Sequence, residues 1–219
     1  MRELHLLRHA ETEANSRGIL QGRLDYPLSE RGHRQAAQAA RRLVELDCDL
    51  VLRSPAARVE ATLAPAVELG LPPGEVWEEL HEIDLGELSG IGQADFAAHY
   101  AAEIDPDIYR SGKYRFGGGE SRRDLYERAA GAWKRLLARD WRRCLIASHG
   151  GLLSQFLAAT LGLPNDGWVR FRLDNACLTR LLWFDGRPFL SRFNDAEHLA
   201  VDHRSPPFTP RLRSEGERR

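Results

Sequence analysis

Leu4-His5-Leu6-Leu7-Arg8-His9-Ala10-Glu11-Thr12-Glu13-Ala14-Asn15 is the stretch on which the fold turns. Leu4 to Leu7 is a short apolar run that predicts a buried strand. It ends in Arg8-His9, so both side chains fall at the carboxyl edge of a sheet, where open α/β folds carry their ligand crevices. An imidazole beside a guanidinium suits a phosphate. The arginine offers a fixed fork of donors, and the histidine can act as nucleophile or proton carrier. Taken alone, the dipeptide reads equally well as a strand end with two surface polar residues.

Outward from this stretch, Ser16 to Leu28 is an irregular loop rich in Gly and Arg. Ser29 can cap a helix running to about Leu46. Asp49 to Leu52 predicts a second strand, ending at Arg53-Ser54-Pro55. Pro55 suits the first turn of a helix whose Arg58 and Thr62, four residues apart, share one face. Pro65 should kink or shorten that helix. Glu75 to Leu80 reads as a weak strand leading into a loop with Glu82, Gly86, Gly90 and Gly92, and a helix is expected over Phe96 to Ile104. Ser121 and Asp124 resemble a capping box opening a long helix to about Asp140. Cys144 to Ala147 is the cleanest buried strand; it ends in Ser148-His149-Gly150-Gly151 ahead of a helix over Leu152 to Leu161. Cys177 to Phe184 and Phe189 to Phe193 form a hairpin about Asp185-Gly186. The alternation of strands and helices predicts a three-layer α/β/α sandwich with a mostly parallel central sheet. One domain is expected over 1–201, with 90–120 the candidate lid and 202–219, rich in Pro and Arg, a mobile tail.

Composition removes several function classes. A net charge of −1 leaves no global field to draw nucleic acid or anionic lipid, so any anion specificity must come from a local cluster. No apolar run approaches a membrane span. The three cysteines, Cys48, Cys144 and Cys177, are widely spaced without metal or redox spacing, which suits a reducing cytoplasm. A homodimer is compatible with the sequence, which does not set the oligomeric state.

If the sheet is parallel, Arg8-His9, the helix bearing Arg58, Glu82 and Ser148-His149-Gly150-Gly151 all open on one side. The glycine pair ahead of a helix adds backbone N–H groups that can face an anion. At this point the chain resembles the histidine phosphatase superfamily, the phosphoglycerate-mutase-like proteins. The family's Arg-His-Gly motif stands here as Arg8-His9-Ala10 with Asn15. Its Gly/Asp/Pro-Leu loop looks like Gly22, Asp25, Pro27 and Leu28, and its Ser-Pro-x-x-Arg-x-x-x-Thr segment like Ser54, Pro55, Arg58 and Thr62. Glu82, Gly118-Gly119-Glu120-Ser121 and Ser148-His149-Gly150-Gly151 complete the series in order.

The resemblance implies that His9 accepts the phosphoryl group and that Arg8, Asn15, Arg58, His149 and Gly150 hold the phosphate. Glu82 would protonate the leaving oxygen and then help a water attack. Gln21, Gly22 and Arg23 are the expected contacts to the rest of the substrate. Neither cofactor nor metal is implied, because the arginines supply the positive charge, and the expected partner is a small phosphorylated metabolite. The expected activity is phosphomonoester hydrolysis through phosphorylated His9. The alternatives are a cofactor-dependent phosphoglycerate mutase and a non-catalytic phospho-ligand binding module. Glu11-Thr12 after the histidine motif favours the phosphatase branch, since mutases of this kind usually carry Gln-Ser there.

Overall fold

The computed structural model describes residues 2–96, 98, 104–167 and 169–204. Strands β1 (Glu3–Arg8), β2 (Leu50–Arg53), β3 (Glu75–Val76), β4 (Arg143–Ser148), β5 (Leu178–Phe184) and β6 (Arg187–Asp195) form one sheet in the order β3-β2-β4-β1-β5-β6. β3, β2, β4 and β1 run parallel, and β5 and β6 add an antiparallel edge. The sheet is therefore mixed, with the expected parallel part at its centre. The helices are α1 (Glu13–Ser16), α2 (Glu30–Glu45), α3 (Ala57–Glu68), α4 (Pro106–Arg110), α5 (Arg122–Leu137) and α6 (Gly150–Thr160).

Alternation along the central strands feeds two cores. Leu4, Leu6, Leu52 and Ile146 face Leu125, Ala129 and Leu136 of α5 and Leu153 and Phe156 of α6. Leu7, Val51, Leu145 and Ala147 face Ala39 and Leu43 of α2 and Val59 and Leu63 of α3. Helices thus cover both faces, which is the expected three-layer α/β/α sandwich.

Ser29 caps α2, and the Ser121–Asp124 capping box opens α5. Asp185 and Gly186 take the positive φ values, 50° and 74°, that a two-residue hairpin turn demands. Three expectations need correction. α3 runs through Pro65 to Glu68, so the proline does not end the helix, although it lacks the N–H that would bond to the Ala61 carbonyl. β3 is only two residues long, with Glu78–Leu80 turning into a 3₁₀ helix. The 202–219 segment stays packed at its start, where Gln35 Nε2 donates to the His203 carbonyl at 2.6 Å; from residue 205 it lies outside the described residues. Residues 97 and 99–103 of the helix expected over Phe96 to Ile104 also lie outside them, while 93–96 are helical. Among the described residues no helix is long and apolar enough to cross a membrane, and the three cysteines are free.

Candidate active site

The register of the parallel strands builds the site. Arg8 stands opposite Ser148, and Arg53 opposite Ala147, so His9, Ser54 and His149 leave the sheet side by side. His9 N–H donates to the Ser148 carbonyl at 2.9 Å and Ser54 N–H to the Ala147 carbonyl at 3.0 Å. β5 runs the other way, so the residues leading into it reach the same edge. Ala176 N–H is shared between the carbonyls of Arg8 and His9, at 3.1 and 3.2 Å, with Ala176 itself at φ 55°.

A cavity of about 330 Å³ opens here, and its lining includes Arg8, His9, Asn15, Arg58, Glu82 and Gly151. His9 is buried, and its Nδ1 lies 2.8 Å from the Ala10 carbonyl. A carbonyl only accepts, so Nδ1 carries the proton and, in the neutral ring, Nε2 keeps its lone pair. Burial foremost, and then the Arg8 and Arg58 guanidinium groups, hold His9 well below the usual imidazole range.

Arg58 is fully buried on α3 and is aimed by the carbonyls of Gly22 and Leu24 and the Asp25 carboxylate, at 2.9, 2.8 and 2.9 Å. Arg8 Nη1 donates to the Leu173 carbonyl at 2.7 Å. Asn15 Oδ1 accepts from Thr12 N–H at 3.2 Å, as part of the cap of α1, and from Asn175 Nδ2 at 3.2 Å. With its oxygen so occupied, Asn15 serves as a cap and keeps its amide donor for the cavity it lines.

His149 is fully buried, its ring centroid 5.3 Å from that of His9. It does not line the cavity. Its Nε2 lies 2.7 Å from Ser54 Oγ, which also accepts from Ala56 N–H. Burial, then Arg58 and the neighbouring imidazoles, keep His149 well below the usual range. Arg8 Nε, Arg58 Nε and His149 Nδ1 are all buried without a hydrogen-bond partner among the described residues. Unpartnered buried polar atoms are costly, and the two arginines that carry them, Arg8 and Arg58, both line the cavity with His9.

Glu82 settles on the N-terminus of α6. Its Oε2 accepts from Gly151 N–H and its Oε1 from Leu152 N–H, both at 3.0 Å. A Cβ on Gly151 would stand 2.5 Å from Glu82 Oε1, so only glycine lets the carboxylate dock. The backbone N–H groups expected to face a phosphate at Gly150 and beyond therefore face this side chain at Gly151 and Leu152, and Gly150 is not in the lining. Gln21 and Gly22 line the cavity. Arg23 does not: it sits 3.8 Å from Asp84 and 3.5 Å from Glu120, where two carboxylates draw it away. Among the described residues no three His, Cys, Asp or Glu side chains gather as a metal site.

Two site residues escaped the sequence reading. Asn175 Nδ2 donates to the His9 carbonyl at 3.0 Å as well as to Asn15. The polar Asp174-Asn175 pair just ahead of an apolar strand was the available signal. Arg128 on α5 grips the chain leading into Glu82, donating to the carbonyls of Glu79, His81 and Glu82 at 2.9, 2.6 and 3.1 Å. It also meets both oxygens of Glu120, at 2.8 and 2.7 Å.

Paired imidazoles and guanidinium groups at the edge of a three-layer α/β sheet define a phosphoryl-handling class. The chain belongs to the histidine phosphatase superfamily (branch 1), whose family profile it matches over residues 4–196. It is 30% identical over 200 residues to phosphoserine phosphatase 1 of Hydrogenobacter thermophilus, covering 91% of this chain and 95% of that one. It is 33% identical over 178 residues to glucosyl-3-phosphoglycerate phosphatase of Mycolicibacterium vanbaalenii, covering 77% and 78%. A mycobacterial glucosyl-3-phosphoglycerate phosphatase solved with VO3 superposes with a TM-score of 0.78 at 31% identity, covering 90% of this chain and all of that one. The expected enzyme class, a phosphoric monoester hydrolase, is borne out by these relatives, and the mutase alternative is not favoured.

Proposed function

We propose that the protein is a metal-independent phosphomonoesterase that hydrolyses a small phosphorylated metabolite through a phosphohistidine at His9. The observation that carries this reading is that Arg8 and Arg58, whose buried Nε atoms have no partner among the described residues, line one cavity with His9, whose Nδ1 proton on the Ala10 carbonyl leaves a lone pair on Nε2 of the neutral ring. The Nε2 lone pair attacks phosphorus while the ester P–O bond breaks, and Glu82 gives its proton to the departing alkoxide. Water then attacks phosphorus, Glu82 takes a proton from it, the P–N bond breaks, and inorganic phosphate leaves. Phosphoryl transfer passes through a loose transition state with charge on the equatorial oxygens, so fixed donors and guanidinium groups supply the main assistance. Glu82 must carry a proton in the first step and hand it to the leaving oxygen.

Asn15 adds a donor to the phosphate. Gln21 and Gly22 bound the space for the rest of the substrate. The free cysteines suit a reducing compartment, the cytoplasm. The test is release of p-nitrophenol from p-nitrophenyl phosphate in EDTA, together with acid-labile phosphorylation of the protein. His9→Ala should abolish both. Turnover that survives His9→Ala, or labelling on another residue, refutes the assignment.

A further inference from the structure

A phosphate occupies only a fraction of this cavity, and one apolar cluster supplies much of the remaining wall. Leu20, Ile83, Leu85, Phe96 and Phe116 pack together in that cluster and all line the cavity, joined by Val169. The wall is stiff. The Phe96 and Phe116 rings stack at 5.9 Å and 28°, and Tyr114 meets Phe116 edge-on at 5.2 Å. Beneath them two loops cross backbone to backbone: a Cβ on Gly86 would stand 1.9 Å from the Gly117 carbonyl oxygen.

Charge is scarce along the same lining. Beyond Arg8, Arg58 and Glu82 the only charged side chain in the lining, among the described residues, is Arg122. That guanidinium lies 4.4 Å over the Tyr109 ring and donates to the Tyr109 carbonyl. Arg23 is drawn to Asp84 and Glu120. Gln93 provides polar atoms for a hydroxyl or an amide.

We infer that the alcohol released from the phosphoester carries an apolar, ring-bearing body. This rests on the phosphomonoesterase reading above and narrows its substrate class. An aromatic or alicyclic face lies flat on the Phe96–Phe116 pair, and burial of the ring supplies the selectivity.

The test compares 3-phenylpropyl phosphate with propyl phosphate, whose leaving oxygens are of nearly equal basicity, so the chemistry cancels and the ring alone is read. Burying one phenyl group is expected to raise kcat/KM about tenfold to a hundredfold. Phe116→Ala should lower that ratio about tenfold, and 3-phosphoglycerate and phosphoserine should be turned over less efficiently than the phenylpropyl ester. A ratio near one, or either carboxylate ester ahead of the phenylpropyl ester, overturns the inference. Calorimetry with 3-phenylpropylphosphonate and propylphosphonate reads the same wall without turnover. If no ester is hydrolysed yet the phenyl phosphonate binds more tightly by that factor, the hydrolase reading fails and the apolar wall stands. Equal binding of the two phosphonates refutes the apolar subsite alone.

Discussion

Arg128→Met should weaken the fold and slow turnover together. The guanidinium makes a two-pronged pair with Glu120 and three bonds to the carbonyls that precede and include Glu82. Both side chains of the pair are only 16% and 17% exposed. Breaking a fully buried pair by removing one partner costs about 3–5 kcal/mol, and the partial exposure lowers that to about 2–4 kcal/mol here. With a urea slope of about 2 kcal/mol/M, the unfolding midpoint should fall by about 1–2 M at pH 7. Burial works to raise the Glu120 carboxyl, but hydrogen bonds from Arg128 and the Asp84 backbone hold it below the usual range. Stability from a depressed carboxyl is present above its unfolded value and lost as pH falls through the folded one, so the gap between wild type and variant should narrow in acid.

Glu120→Gln in the Arg128→Met background should recover part of the loss, because the stranded charge is gone. Slack in the Glu82 backbone should lower kcat on p-nitrophenyl phosphate about tenfold or more. Equal urea midpoints, or additive effects of the two substitutions, would refute the reasoning.

Gly151→Ala forces a Cβ to within 2.5 Å of Glu82 Oε1 and should lower kcat about a hundredfold with little change in KM; an unchanged kcat removes Glu82 from the proton transfer. Asn175→Ala strips donors from the His9 carbonyl and Asn15 Oδ1, and calorimetry should show a loss of about 1–2 kcal/mol, with kcat falling as well. Because His9 and His149 are held below the ordinary 6.5, the unfolded chain takes up protons first as pH drops. Stability should thus be full above that value and fall below it by at most about 1.4 kcal/mol per pH unit for each ring, a slope that His149→Gln should reduce. The same depression keeps His9 nucleophilic in mild acid, so kcat/KM should hold its level at pH 5.5. A decline centred near 6.5 would contradict it.

The parallel core was legible because its strands are buried on both faces and read as near-continuous apolar runs, as Leu4 to Leu7, broken only by His5, and Cys144 to Ala147 do. Strand ends then placed His9, Arg58 and His149 together. What the sequence hid lies where position depends on distant pairing. β3 is too short and too exposed to leave a pattern. Asn175 joins the site because β5 is antiparallel, which brings the start of a strand, and not its end, to the catalytic edge. Arg128 is one arginine on a helix face, and only the folded chain shows that it holds Glu82 in place. Arg23 stands in the expected loop, yet the carboxylates that claim it come from 60 to 100 positions further on.

β1 lies between β4 and β5, so it has as neighbours strands made some 140 and 175 residues after it. Until residue 184 is translated, Leu4, Leu6 and Leu7 have no permanent place in a sheet, and the nascent chain must carry them unpaired. Such long-range closure is slow. His9, at the end of β1, therefore waits for strands far along the sequence before the cavity around it is assembled.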